Sequence, residues 1–266
     1  MDTLQAAILG IVQGLTEFLP VSSSGHLALA TYHFGWGEGL PLWVGVATNT
    51  GTLLAVLVYL RRDVATALVG FLRGLTSAAA RREEGWRLAL LVLVATVPTI
   101  VIGLALRPVF DDLGRALPVS IALIVTGLVL WTAPRGGAKG AASELTFLDA
   151  FLAGVAQGVA VVPGISRSGA TIAMLLWRGA SAGQAPRLSF LMYLVISAGV
   201  AVLEADTVLG GQVDWVALTA MTIASFVVGY AALFVLFALL RRGRFRVFAP
   251  YLWVIASVTL LRVALA

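Results

Sequence analysis

Long apolar stretches separated by short polar segments dominate the chain. Six of them are continuous runs of about the length that crosses a bilayer as an α-helix. We predict transmembrane helices at 42–60, 88–106, 118–133, 187–204, 215–240 and 248–265. Because apolar residues run continuously and do not alternate with polar ones, the pattern predicts an all-α polytopic membrane protein.

Two other apolar stretches, 4–34 and 147–178, are each interrupted by a polar, helix-breaking segment. Pro20 lies at the first break, and Pro163 with Gly164 lies at the second. Two short helices joined by such a break predict a re-entrant hairpin. A hairpin of this kind is stable at membrane depth only where protein or water satisfies the freed backbone groups.

The two interrupted stretches repeat one another at a constant offset of 144 residues. The residues shared at this offset include a pair of glutamines, two pairs of serines and three pairs of glycines. The sequence therefore predicts two related halves, 1–133 and 147–266, joined by a linker at 134–146. Each half is a re-entrant helical hairpin plus three transmembrane helices. Three crossings, an odd number, separate the hairpins, so we predict an inverted-topology repeat.

Composition and charge agree with a membrane protein and exclude other classes. Of 266 residues, 60% are hydrophobic and 12% are charged, whereas soluble domains are about a quarter charged. The chain has no cysteine, which excludes disulfides and thiolate chemistry. The net charge of +5 does not indicate nucleic-acid binding, because 14 of the 18 Lys and Arg residues fall in four loops, at 61–87, 134–147, 178–187 and 241–246. By the positive-inside rule these loops are cytoplasmic and both termini lie outside.

Glu17 and Arg167 are the carboxylate and the cation that this pattern places deep inside apolar segments. An ionisable group at that depth is costly and usually functional. A purely structural ion pair between the two residues is the alternative interpretation. The serine run at 22–24 and the imidazole of His26 follow Glu17 closely, and they favour a reactive site.

The run Pro-Gly-Ile-Ser-Arg-Ser-Gly around Arg167 is typical of an anion-binding loop. Glycine lets the backbone approach a ligand, hydroxyls and amides donate hydrogen bonds, and a helix beginning near Ser168 presents its positive N-terminal end. The planar guanidinium suits two phosphate oxygens. The alternative is helix packing, because small residues also pack membrane helices.

Other polar residues have structural interpretations that are at least as good. Gln13 lies one helical turn before Glu17 and either contacts a ligand or bridges the repeat together with Gln157. A polar patch that either lines a cavity or packs helices comprises Asn49, Thr50 and Thr52. The candidates interpreted as surface or solvated residues are His33, Asp111 and Asp112.

The segment QGLTEFLPVSSSGH, from Gln13 to His26, resembles the (E/Q)xxxE segment with its following serines and histidine in the undecaprenyl-diphosphate phosphatase family of the bacitracin-resistance type. The segment PGISRSGAT, from Pro163 to Thr171, resembles that family's PGxSRSxxT motif. The order and separation of the motifs fit the family, and so does the apolar plan of essentially the whole chain. The resemblance implies an integral-membrane phosphatase that hydrolyses undecaprenyl diphosphate to undecaprenyl phosphate and inorganic phosphate. This reaction recycles the lipid carrier of cell-wall synthesis and gives bacitracin resistance.

The resemblance also implies the site residues. The family's catalytic positions fall on Glu17, Ser23, His26 and Arg167. The positions implied to bind the substrate phosphates are Gln13, Ser22, Ser24, Gly164, Ser166, Ser168 and Thr171. Family members are activated by Mg²⁺ or Ca²⁺. Because position 13 holds Gln and no dedicated metal ligands are evident, we expect such a divalent cation to bind together with the diphosphate.

Several alternatives stay open from the sequence. The nucleophile is Ser23, His26 or activated water. Inverted repeats with broken helices are also a transporter architecture, so a lipid transporter or flippase is the competing function. The expected partners are a polyprenyl diphosphate and the bilayer, with no nucleic acid, and the small residues from Gly229 to Ala232 are the candidate contact of a homodimer. The expected setting is the bacterial plasma (inner) membrane, with the active site facing the periplasm.

Overall fold

The computed structural model describes residues 3–35, 42–134, 144–209 and 213–265, and every regular element in these ranges is helical. The helices are α1 (Thr3–Phe18), α2 (Ser23–Phe34), α3 (Leu42–Tyr59), α4 (Arg61–Thr76), α5 (Glu84–Leu106), α6 (Phe110–Leu113), α7 (Ala116–Thr132), α8 (Phe147–Val159), α9 (Arg167–Trp177), α10 (Gln184–Leu209), α11 (Trp215–Arg241) and α12 (Phe248–Leu265). The predicted all-α class is confirmed. Most of the linker predicted at 134–146 lies outside the described residues.

Within the described ranges, four helices are long and apolar enough to cross a bilayer, namely α5, α10, α11 and α12. The predicted spans at 42–60 and 118–133 correspond to α3 and α7, which have 18 and 17 residues. Both are slightly short for a hydrocarbon core that takes about 20 helical residues to cross. The protein is therefore a multi-pass membrane protein, whereas the full set of six crossings stays a prediction.

The segment 61–87, predicted as a loop, is largely helical. The chain bends by 79° between α3 and α4, and α4 is amphipathic. It begins with Arg61 and Arg62 and exposes the side chains of Leu68, Leu72 and Leu75. A basic amphipathic helix with one apolar face is typical of a segment that lies along a membrane surface.

The first helix of each hairpin packs on a long helix of the other half. α1 packs mainly on α11, and α8 packs mainly on α5. Equivalent glycines permit both contacts: a β-carbon on Gly14 would lie 2.8 Å from the Gly229 nitrogen, and one on Gly158 would lie 2.7 Å from the β-carbon of Ile102. This exchange of partners is what a repeat related by a two-fold axis predicts. The inverted orientation of the halves stays a prediction.

Both hairpins are broken where the sequence predicts. α1 ends two residues before Pro20, whose ring cannot continue a helix, and α2 begins after a four-residue break, 19–22. The second break, 160–166, separates α8 from α9 and contains Gly164. Each break leaves backbone groups that need partners inside the protein, and this requirement brings the two breaks together.

Candidate active site

The two breaks contact each other directly. The Ser22 hydroxyl accepts a hydrogen bond from the Gly164 backbone N–H at 3.1 Å. Both residues have positive φ, 70° for Ser22 and 95° for Gly164. This conformation is ordinary for glycine but costly for serine. A strained residue where two broken helices meet is typical of a functional site.

The second helix of each hairpin begins with the same cap. The Ser22 hydroxyl accepts a hydrogen bond from the Gly25 N–H at 3.4 Å, and the Ser166 hydroxyl accepts one from the Gly169 N–H at 3.1 Å. Side-chain caps of this kind satisfy amides that a helix leaves free at its first turn. The prediction of a helix beginning near Ser168 is confirmed, since α9 begins one residue earlier.

Glu17 joins residues from both halves. Its Oε1 lies 3.3 Å from Nη2 of Arg167. Its Oε2 accepts hydrogen bonds from Nε2 of Gln13, at 2.9 Å, and from the Ser23 hydroxyl. Glu17 is only 8% exposed, so a counter-charge and several donors are needed to hold a carboxylate there. Gln13 and Glu17 share one face of α1 because four residues separate them.

Arg167 is also held by α10. Its Nη1 donates a hydrogen bond to the Ser197 hydroxyl at 3.1 Å, and its guanidinium lies 4.7 Å above the ring of Tyr193, a cation–π distance. The Ser189 hydroxyl lies 2.6 Å from that of Thr171 on α9. Sequence reasoning missed these α10 residues. Their spacing of four, which places hydroxyls on one face of an apolar helix, is the signal that could have revealed them.

A cavity of about 380 Å³ lies beside this cluster. Its polar lining residues come from both hairpins and from the neighbouring helices, and they are Gln13, Glu17, Ser22, Ser23, Ser24, Thr48, Asn49, Thr99, Gln157, Ser166 and Arg167. A smaller cavity of about 80 Å³ shares Asn49 and Arg167 with it and also contacts Thr50. From the predicted polar patch, Asn49 and Thr50 therefore line cavities, whereas Thr52 is buried with its hydroxyl 3.0 Å from that of Tyr193.

His26 is not among the described residues that line this cavity. Its Nε2 lies 2.8 Å from the Tyr251 hydroxyl on α12, and the two rings are nearly parallel, at 6°. Its Nδ1 lies 2.9 Å from the Ser22 carbonyl oxygen, which can only accept. Neutral His26 therefore carries its proton on Nδ1 and accepts at Nε2 from Tyr251. The catalytic role that the resemblance implies for His26 stays a prediction.

The residues predicted to bind phosphate divide into two groups. Those that line the cavity are Gln13, Ser22, Ser24 and Ser166. Those that instead support the second break are Gly164, Ser168 and Thr171. The Gly164 carbonyl accepts a hydrogen bond from Thr126 at 2.8 Å, and Thr171 donates to the Arg167 carbonyl at 2.8 Å. The Ser168 hydroxyl lies 3.3 Å from that of Ser166.

The remaining polar candidates lie apart from the cavity. His33 contacts the Thr259 hydroxyl at 3.0 Å and Nη1 of Arg262 at 2.9 Å, so it links α2 to α12 as a structural residue. Asp112 pairs with Arg115 at 3.2 Å, both side chains being exposed. The side chain of Asp111 lies outside the described residues. Within the described ranges, no group of three or more His, Cys, Asp or Glu side chains could hold a metal ion.

Comparison with known proteins gives a consistent result. The family model for bacitracin resistance protein BacA matches residues 6–258. A protein named undecaprenyl-diphosphatase from Acaryochloris marina is 61% identical over 265 residues, which cover 100% of both chains. Proteins of the same name from Desulfosudis oleivorans and Syntrophotalea carbinolica are 43% and 41% identical, over 98% and 97% of each chain. With these full-length matches and both motifs in contact at one cavity, this chain belongs to the bacitracin resistance protein BacA family.

Proposed function

We propose that this chain is an integral-membrane phosphatase that hydrolyses undecaprenyl diphosphate to undecaprenyl phosphate and inorganic phosphate. The observation that carries the proposal is the meeting of Glu17 and Ser23, from the first half, with Arg167, from the second, on the wall of one cavity. The names of the full-length relatives support the same reaction.

Arg167 is the proposed phosphate-binding residue. Ser197, Tyr193 and Glu17 hold its guanidinium in place, so little side-chain entropy is lost when an anion binds. Its planar group donates two parallel hydrogen bonds to phosphate oxygens. The N-terminal end of α9, which begins at Arg167 itself, adds a favourable field for negative charge. Both effects increase as charge develops on the transferred phosphoryl group.

Ser23 is the proposed nucleophile, because its hydroxyl donates a hydrogen bond to Glu17. Glu17 accepts the hydroxyl proton as the Ser23 oxygen attacks the terminal phosphorus, and the anhydride P–O bond breaks to release undecaprenyl phosphate. Water then hydrolyses the phosphoserine and releases inorganic phosphate. His26 is the second candidate; its Nε2 is hydrogen-bonded to Tyr251, and it is not among the described residues that line the cavity. Direct attack by water is the third.

A divalent cation fits this site when it binds together with the diphosphate. Glu17, Ser23 and Ser24 offer oxygen ligands, which Mg²⁺ and Ca²⁺ prefer. Glu17 is already paired with Arg167, so the substrate's own oxygens supply most of the negative charge. When bound, the cation neutralises charge on the diphosphate. We propose Glu17, Ser23 and Ser24 as the residues that hold it.

We place the protein in the bacterial inner membrane, with the cavity open to the periplasm. The four basic segments are cytoplasmic by the positive-inside rule, which places the entry of the first hairpin on the outer side of the membrane and supports an opening to the periplasm. Because the chain has no cysteine, a single Ser24→Cys variant in intact cells reports access: labelling by a membrane-impermeant maleimide is expected, and labelling only in inverted vesicles would contradict the orientation.

Part of the candidate contact of the predicted homodimer lies inside the protomer. Gly229 and Ala232 are buried within the protomer. A β-carbon on Gly229 would lie 2.9 Å from the Phe18 ring, so Gly229 serves the packing of α11 on α1, whereas Ala231 is exposed. A homodimer stays a proposal, tested by the mass of the detergent-purified protein.

Phosphate release from a short-chain polyprenyl diphosphate tests the function. Purified wild-type protein is assayed with Mg²⁺, with Ca²⁺ and with a chelator, beside Glu17→Ala and Arg167→Ala. We expect cation-dependent turnover in wild type and its loss in both variants. Binding of the lipid without turnover under any condition would instead favour a lipid transporter, the function that two meeting helix breaks also suit.

A further inference from the structure

Asn49, on α3, occupies the junction of the two cavities. It lines both of them together with Arg167. No proposed step uses it, and it lies outside both sequence motifs. Its side chain is half-buried, so its amide group is neither free in solvent nor enclosed in the core.

A chain of hydrogen bonds determines which way the Asn49 amide points. An ionised carboxylate only accepts hydrogen bonds, so Gln13 must direct its NH₂ group toward Glu17. The same Nε2 atom lies 3.0 Å from Oδ1 of Asn49. Gln13 therefore uses its two N–H groups on Glu17 and Asn49, and Asn49 must present its oxygen to Gln13.

The opposite end of the Asn49 amide is left as a donor. Among the described residues, Nδ2 of Asn49 has no hydrogen-bond acceptor. It is also not one of the fully buried polar atoms that lack a partner, so a ligand can reach it. Two N–H groups without an acceptor in the described part of the chain, at a cavity that an arginine also lines, form a binding surface for an anion. Each cavity is lined by one carboxylate, Glu204 in the smaller and Glu17 in the larger. Glu17 is paired with Arg167, whereas no ion pair of Glu204 is formed among the described residues, so the larger cavity is the more favourable position for that anion.

We propose that Asn49 is a substrate-binding residue whose amide N–H groups donate hydrogen bonds to phosphate oxygens of a polyprenyl diphosphate beside Arg167. The inference rests on the proposed function for the class of its ligand. It assigns to α3 a direct contact with the substrate, in addition to the contacts from the two hairpins. Gln13 becomes the positioning residue that links this donor to Glu17.

Replacing Asn49 by Asp separates this role from a structural one. Asn49→Asp keeps the oxygen that Gln13 contacts and nearly the same shape, but it removes both donors and adds a negative charge. The probe is farnesyl methylenediphosphonate, which carries the diphosphate geometry but has no hydrolysable anhydride oxygen. We expect its dissociation constant to rise by about ten- to a hundredfold. Asn49→Ala, which adds no charge, is expected to lose about tenfold, and Asn49→Gln is expected to retain most of the affinity.

Gln184→Glu is the matched control. It makes the same amide-to-carboxylate change at the start of α10, where Oε1 of Gln184 accepts a hydrogen bond from the Ser181 N–H at 3.2 Å. That acceptor survives the change, so probe affinity is expected to stay within about twofold. Unaltered thermal unfolding of each variant establishes that it is folded.

Two outcomes separate this inference from the proposed function. Wild-type affinity in both Asn49→Asp and Asn49→Ala, with binding lost in Arg167→Ala, would overturn the role of Asn49 and leave the phosphatase in place. Loss of probe binding in the Asn49 variants, with no phosphate release from farnesyl diphosphate by wild type, would support Asn49 and overturn the phosphatase.

Discussion

The two broken hairpins have the same backbone plan, a helix break followed by a serine-capped helix, and they differ in the side chains at equivalent positions. Ser22 and Ser166 cap the second helix of each hairpin in the same way. At the same offset of 144 residues, Ser23 corresponds to Arg167, and both of these side chains contact Glu17. Equivalent positions thus direct a hydroxyl and a guanidinium at one carboxylate. The repeated residues build the site, and the residues that diverged supply its chemistry.

The paired glutamines show the same contrast. Gln13 uses its donors on Glu17 and Asn49. Gln157 donates to the Thr99 hydroxyl at 3.3 Å, and its oxygen has no hydrogen-bond partner among the described residues. Gln13, in the first half, is therefore hydrogen-bonded to the Glu17–Arg167 pair through Glu17, whereas Gln157, in the second half, joins α8 to α5.

Replacing Arg167, the first residue of α9 after the second break, should have the largest effect. Arg167→Ala is expected to lower kcat/KM by about 10³–10⁵-fold, because the transition-state charge loses its arginine. Arg167→Lys keeps the charge but not the planar fork, and it should recover less than about a tenth of wild-type activity. Steady-state phosphate release measures both. Activity within about tenfold of wild type in Arg167→Ala would contradict a role of Arg167 in the reaction.

The next largest effect is expected at Glu17, the carboxylate of α1 just before the first break. Glu17→Gln keeps a hydrogen-bond acceptor but removes the base and the partner of Arg167, so we expect kcat to fall by about 10²–10⁴-fold. Glu83→Gln, at an exposed pair with Arg73, is the control and should leave kcat unchanged. An equal fall in both variants would show that the loss is not specific to the site.

The two serine caps, Ser22 and Ser166, should contribute differently to the free energy of unfolding. Ser22 accepts two hydrogen bonds, from Gly25 and Gly164, whereas Ser166 accepts one backbone N–H. Ser22→Ala should therefore lower the free energy of unfolding by about 2 kcal/mol and Ser166→Ala by about 1 kcal/mol. Thermal unfolding in detergent measures the order, with the exposed Ser257→Ala as the control. The reverse order would contradict the contact between the breaks.

The smallest effect is expected at Tyr251, whose hydroxyl forms a hydrogen bond with His26. Tyr251→Phe removes one hydrogen bond to Nε2 and keeps the ring, so kcat/KM should change by less than about fivefold. A fall of a hundredfold or more, seen as a shift in the pH–rate profile as well, would mean that His26 acts in catalysis through Tyr251.

The sequence predicts the positions of the helices and breaks in the two hairpins well, because the residues that determine them act locally. A proline, a serine cap and a repeated glycine each act on their own turn of chain, and both breaks lie where these residues place them. Charge at membrane depth also identifies Glu17 and Arg167, which do pair. The segment 61–87 is predicted as a basic, partly amphipathic loop, and residues 61–76 of it form the amphipathic helix α4. A count of basic residues does not distinguish a loop from such a helix.

The contacts between distant segments could not be predicted in this way. Nothing near His26 in the sequence indicates that its Nε2 forms a hydrogen bond with Tyr251, on α12. The hydroxyls of α10 lie in a segment that the sequence predicts as an apolar span, although Ser197 and Tyr193 hold Arg167. Gly229 indicates close helix packing, and only the fold shows that its partner is α1 of the same chain.

A double-mutant cycle on kcat/KM, with Ser23→Ala, Arg167→Ala and the double variant, tests most directly whether the two halves supply one site. A shared site predicts strong non-additivity: the double variant should lie within about tenfold of the poorer single variant, because either loss disables the same step. Losses that multiply fully in the double variant would show that Ser23 and Arg167 act independently, and they would contradict a shared site.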